Sequence, residues 1–418
     1  MPAHSHSHGP TDDAPPTEQV LARRRRATWL MLLVLVPVAL ATVVGLIALW
    51  PSGGETRAGQ TAQQYLPSGS TTLADARVVS LQTYDCSTGA VEGQTLTCAT
   101  AVVEVVEGEG TGEYVSIELS ADVVAYGIEE GETIVVARSA DTGDGQASYT
   151  FNDFARGAPI ITLALGFVLV VAAVARLRGI AALVGLAFSF FVLLEFVLPG
   201  ILGESSPTLV TLVGSSAIMF VVLYLAHGFS ARTTTALIGT LFGLTLVAVM
   251  GALAVSAAKL TGLSSEETVQ LSTFDPTLDF SGLVLAGITV AGLGVLNDVT
   301  ITQASAIWQL HEVDPTLTWA QLFARGMSVG RDHIASTIYT IVFAYAGAAL
   351  PLLLLFEIYD RPLWDVVTGT EVGEEVIRTL VGAIALVLAV PVTTAVGAFF
   401  AKAAGDRPAP SVLTRFAR

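Results

Sequence analysis

GLGVLNDVTITQAS (292–305) lies in an apolar run that starts near Ser281, and one carboxylate, Asp298, interrupts it. A bilayer core about 30 Å thick is crossed by roughly 20 apolar residues. An ionisable group inside such a run is costly and is kept where it meets other helices or water. The stretch continues through a polar connection to RGMSVGRDHIAST (325–337), where the next apolar segment begins beside Arg331 and Asp332. Read this way, the chain is a polytopic α-helical membrane protein with charges set between two of its spans.

Composition agrees. Of 418 residues, 52% are hydrophobic and 13% charged, and the apolar residues fall in long uninterrupted runs. The net charge of -16 is concentrated: residues 51–156 carry 16 Asp and Glu against four Arg. No basic surface suited to nucleic acid is present, so nucleic acid is not an expected partner. The bilayer is.

Residues 1–27 read as a polar cytosolic tail ending in Arg23–Arg26, and 28–50 as a retained signal-anchor helix. Positive charge before a first span predicts a cytoplasmic N-terminus. Residues 51–74 read as a linker. Residues 75–157 follow as a small extracytoplasmic β domain, with β-like runs at 76–81, 96–106, 114–119 and 133–138 separated by glycine-bearing turns. That alternation fits a five-stranded barrel of OB type. Cys86 and Cys98, the only cysteines, lie in this domain. Outside the cytoplasm they are expected to pair, with two free buried thiols as the other reading.

Residues 158–401 are expected to hold seven further spans, at 158–175, 180–202, 208–226, 235–257, 281–303, 333–356 and 377–401. Arginine and lysine collect in alternate connections, at Arg176, Arg178, Arg232, Arg325, Arg331 and Lys402. About eight spans, with both termini cytoplasmic and a cytosolic tail at 402–418, satisfy that pattern. The connection 306–324 is expected to break at Asp314-Pro315. Its second half, Thr316–Met327, is expected to lie as an amphipathic helix at the cytoplasmic interface. GTLFG (239–243) has the glycine spacing of a close helix contact.

The chemistry is expected around the opening stretch. Gly287, Ala291, Gly294, Asp298, Thr302 and Ser305 form one helical stripe of small and polar residues, with Asn297 beside it. Such a stripe is expected to face the bundle interior or a wet cavity. Arg331, Asp332, His333, Ser336 and Thr337 open the next span. Three readings stand open, one of them that these charges simply snorkel to the membrane interface. Asp298 and Asp332 bind a cation, a proton or a polar headgroup during transport, or an Asp298–Arg331 pair locks two helices. Glu195, in FFVLLEFVLPG (190–200), is a further intramembrane carboxylate. The sequence has no nucleophile elbow, P-loop, zinc-protease motif or dinucleotide fingerprint. No enzyme activity, cofactor or metal site is expected.

GLGVLNDVTITQASAI (292–307), SVGRDHIAST (328–337) and AYAGAALPLLLL (344–355) resemble the YibE/F-like family of bacterial integral membrane proteins, and ALIGTLFGL (236–244) and YTFNDFAR (149–156) add to the likeness. The resemblance spans roughly residues 75–400. Asn297 departs from it, standing where an apolar residue such as methionine is expected. The likeness implies a multi-pass protein of the bacterial cell membrane with an extracytoplasmic β domain. It brings no settled activity. The expected function is a secondary transporter or permease for an ion or small polar solute. The alternative is a non-catalytic envelope assembly protein that docks a partner, or a second copy, through the β domain.

Overall fold

The computed structural model describes residues 18–54, 56–65, 71–87, 95–139, 147–203, 205–359 and 361–404. His4, His6, His8, Glu204, Asp360 and the tail beyond 404 lie outside them. The chain divides into two compact units, one of residues 58–174 and one of residues 1–57 with 175–418.

The smaller unit is built on one antiparallel sheet. Its strands are β1 (Thr71–Asp85), β2 (Thr97–Glu107), β3 (Tyr114–Leu119), β4 (Thr133–Ser139) and β5 (Ser148–Phe154), in the order β3-β2-β1-β4-β5. The sheet curls into a half-barrel whose end strands, β3 and β5, approach each other without sharing a ladder. Alternate residues of β1 and β2, from Ala74 to Val78 and from Ala99 to Val105, are buried in its core. β1 begins earlier than the sequence suggests, and the expected linker contains a short helix, α2 (Arg57–Tyr65), after α1 (Glu18–Ala48). The segment read as a lead into the membrane supplies β5. The short α3 (Ala121–Tyr126) ends on Gly127, which takes the left-handed conformation at φ 99°. A disulfide joins Cys86 to Cys98 with Cα atoms 5.7 Å apart, tying the end of β1 to the start of β2.

The larger unit is helical. α4 (Gly157–Val192) begins in the smaller unit and belongs to the larger one from Ala175; a π turn (Leu193–Val197) and α5 (Leu198–Leu202) follow. Pro199 explains the π turn, because it has no N–H to give the carbonyl four residues back, at Glu195. Then follow α6 (Pro207–His227), α7 (Ala231–Ala257), the short α8 (Glu266–Phe274) and α9 (Phe280–Val313). The chain ends its described course with α10 (Trp319–Ala348), α11 (Leu350–Ile358), the short α12 (Leu363–Thr368) and α13 (Thr370–Ala404).

Among the described residues, six helical stretches are long and apolar enough to cross a membrane, or seven with the bent α10–α11 pair. The count is below eight because the expected spans 158–175 and 180–202 fall in one stretch, Gly157–Leu202. That stretch is broken at Arg176, whose φ of 53° and ψ of -136° lie outside helical space. The expected span 333–356 is bent by 64° between α10 and α11, where Pro351 opens the second helix. The expected interfacial helix at 316–327 is not separate. Thr318 and Gln321 form a capping box, and α10 runs from Trp319 straight into the span.

The core of this unit is α7, α9 and α13. Gly239 faces Thr393, and a Cβ there would stand 2.0 Å from the threonine Oγ1; at Gly243 it would meet Leu296 Cδ2 at 2.5 Å. The G-x-x-x-G pair thus brings α7 against α13 and α9.

Candidate functional site

α9 is 34 residues long, so it runs about 51 Å and exceeds the bilayer core. Asp298 lies 18 residues beyond Phe280, about 27 Å along the helix. Two faces of α9 carry polar groups, and they differ in kind.

The first face is buried. Thr300 Oγ1 is 2.6 Å from Thr240 Oγ1 of α7; each hydroxyl also has a carbonyl of its own helix in reach, at Leu296 and Ala236, so one donates across while the other donates back. Gln303, 2% exposed, donates through Nε2 to the Gly326 carbonyl at 2.9 Å and to Thr394 Oγ1 at 2.7 Å. One side chain therefore pins α9 to α10 and α13. Small residues make the approach possible: a Cβ at Gly326 would stand 2.1 Å from Ile307 Cδ1, and one at Gly330 would stand 2.7 Å from Val390 Cγ1. These contacts join the three helices, and among the described residues Asp298 and Arg331 form no ion pair. Their sequence signal was a second G-x-x-x-G, GMSVG (326–330), together with a glutamine inside an apolar helix.

The second face is the stripe through Asp298, and it is uncovered. Leu296 and Thr300 are fully buried. Each is two residues from Asp298, so about 160° away around the helix. Packing of that side against α7 and α13 turns Asp298 outward, opposite to the inward placement expected. Its side chain is 66% exposed, and a Cβ at Gly294 would meet nothing within 4 Å.

Asp298 faces His333 rather than Arg331. Its Oδ2 is 3.8 Å from His333 Nε2, and the same nitrogen is 3.3 Å from Thr302 Oγ1. Thr302 donates to the Asp298 carbonyl at 2.7 Å. A carboxylate, an imidazole and a hydroxyl thus meet on the seam of α9 and α10. Arg331 and Asp332 are exposed on α10 and enter no ion pair among the described residues. Glu195 is exposed in the π turn and is not part of this group. Asn297 points partly inward, with a buried Oδ1 that has no hydrogen-bond partner among the described residues.

The other end of the stripe also meets charge. Gly287 is 11 residues before Asp298, about 16 Å along the helix. A Cβ there would be 3.6 Å from Arg378 Nη2. Arg378 pairs with Glu374 at 3.2 Å and Glu375 at 2.7 Å, and Ser264 donates to Glu374 at 2.7 Å. The stripe of small residues therefore runs between two clusters of ionisable groups.

The YibE/F-like protein family matches this chain over residues 163–403. The chain belongs to the YibE/F-like family. The matched span takes in the Asp298–His333 seam and the Gln303 contacts, and leaves out the five-stranded sheet. No curated protein matches the chain, and no solved structure does. Of the residues singled out from sequence, Asp298 and Thr302 come together. His333 was noted there only as a neighbour of Asp332, yet it provides the imidazole of the group.

Proposed function

We propose that this YibE/F-like protein is a secondary transporter of the bacterial cell membrane that moves an ion or a small polar solute. In this reading the α9–α10 seam is its ion-handling site. It has eight spans: the Gly157–Leu202 stretch would run about 69 Å as one helix, twice the bilayer core, and it breaks at Arg176 between two apolar halves. Eight spans put both termini in the cytoplasm and the β domain, an OB-like half-barrel, outside.

The carrying observation is the exposed Asp298 carboxylate 3.8 Å from His333 Nε2, on an uncovered face of an apolar helix of spanning length. Intramembrane carboxylates and histidines are the usual elements of proton and cation pathways. The helix-locking task falls on Gln303, which leaves Asp298 available for exchange. In this reading Asp298, Thr302 and His333 bind and pass an ion rather than attack a substrate. Reconstitution into liposomes tests it: proton and sodium jumps should drive currents in the parent protein that Asp298→Asn abolishes.

The compact β unit supports a second reading, a docking module for an envelope protein. It is a distinct unit and exposes Leu73, Tyr114 and Tyr126. Crosslinking through its surface in cells, with no partner captured, would remove that support.

A further inference from the structure

A cavity of about 300 Å³ lies at the end of the helical unit where α6 and α9 begin. Its wall includes Arg57, Ser205, Ser206, Asp275, Thr277 and Asp279. Its volume is at the small end of the range for ligand sites.

Asp275 is the unusual group. It is 2% exposed, and a buried carboxylate needs partners for both oxygens. Oδ1 accepts from the Thr277 amide at 3.0 Å and the Thr277 hydroxyl at 2.7 Å. Among the described residues Oδ2 accepts no hydrogen bond, although Asp275 lines the cavity. Asp279 is already engaged: its Oδ1 caps α9 by accepting from Gly282 N at 2.8 Å and Ser281 Oγ at 2.9 Å.

The same cavity has a positive pole. Arg57 donates to Thr277 Oγ1 at 3.3 Å. The 21-residue α6 begins at Pro207, and its N-cap residue Ser206 makes no side-chain capping bond. An uncapped helix start favours an anionic group. Buried negative charge and an anion-favouring helix end thus face one small space.

We infer that this cavity binds a small zwitterion carrying a primary ammonium. The ammonium meets Asp275 Oδ2, and the anionic group meets Arg57, Ser206 and the start of α6. A free amino acid and a phosphoethanolamine lipid headgroup share this chemistry. The site is about 28 Å along α9 from Asp298 and does not depend on the transport reading.

The test is thermal unfolding of the full chain in detergent with L-alanine, O-phosphoethanolamine, ethylamine, propionate or calcium as probes. L-alanine or O-phosphoethanolamine at millimolar concentration should raise the unfolding temperature by several degrees, and the half-ligands ethylamine and propionate should not. A response to both zwitterions or to L-alanine alone assigns the site to free solutes, and one to O-phosphoethanolamine alone assigns it to the headgroup. Asp275→Asn should lose the shift. Arg57→Gln, at an exposed position, should weaken it at least tenfold and controls for a misfolded Asp275 variant. An equal shift with ethylamine or calcium, or no shift with either zwitterion, overturns the inference.

Discussion

Gln303 Nε2 lies 2.7 Å from Thr394 Oγ1 and 2.9 Å from the Gly326 carbonyl, so one amide group joins three helices. Gln303→Ala removes both bonds and leaves a hole at a fully packed crossing. Each hydrogen bond is worth about 1 kcal/mol net, and the cavity adds to that. The variant should lose about 2–4 kcal/mol in a denaturant titration in detergent. Gly326→Ala should do comparable harm, because its Cβ would stand 2.1 Å from Ile307 Cδ1. Unchanged midpoints in both would show that this crossing does not hold the bundle.

Asn297 predicts the opposite sign. Its buried Oδ1 has no partner among the described residues, and an unsatisfied buried polar atom costs about 1–3 kcal/mol. Asn297→Met should therefore leave the fold intact and raise the unfolding midpoint, with a gain of about 1 kcal/mol. A lower midpoint would mean that the amide makes a contact important to the native protein.

In the β unit, Tyr149 donates to Glu113 Oε2 at 2.7 Å and accepts from Arg138 Nε at 3.1 Å. Burial, and next the bond to Glu113, push its phenol above the ordinary tyrosine range. A pKa raised on folding gives stability that is complete below the unfolded value near 10 and is lost as pH rises through the folded value. The sheet should thus be indifferent to Tyr149 ionisation at neutral pH and weaken in strong alkali. Tyrosinate absorbance should show a late-titrating component that disappears in Tyr149→Phe, and that variant should lose about 1 kcal/mol at neutral pH. A titration curve unaltered by the substitution would contradict the placement. Gly110 holds the turn under this phenol, at φ 87° and with a Cβ position 2.1 Å from Tyr149 Oη.

The Cys86–Cys98 bridge closes a short loop between β1 and β2. Its removal by Cys86→Ser with Cys98→Ser should cost the β unit about 2–4 kcal/mol, while the helical unit unfolds unchanged. Thiol labelling of the denatured, unreduced parent protein should detect no free cysteine; two labelled thiols would remove the bridge from the account.

The helical class was legible because hydrophobic runs of spanning length are the strongest signal a chain carries, and the sheet because β1 and β2 alternate buried and exposed residues. The break at Arg176 was legible, because Arg176 and Arg178 mark a connection between the spans 158–175 and 180–202, whereas the bend before Pro351 was not, since apolar sequence on both sides reads the same whether a helix continues or turns. The direction of the Asp298 stripe could not be read at all. Periodicity groups Gly294, Asp298 and Thr302 on one face, but the opposite face, beside Leu296, also carries polar side chains at Thr300 and Gln303. Only packing against α7 and α13 decides which of them is buried. His333 was overshadowed by Arg331 and Asp332, which are exposed and pair with no charge among the described residues.

The central claim is that the Asp298–His333 seam handles an ion. Solid-supported membrane electrophysiology on proteoliposomes tests it most directly, with proton and sodium concentration jumps applied to the parent protein, Asp298→Asn and His333→Gln. The parent should give a transient current, Asp298→Asn should lose it, and His333→Gln should show an altered pH dependence, all at unchanged unfolding temperature. Currents of equal size and pH profile in all three proteins would contradict it.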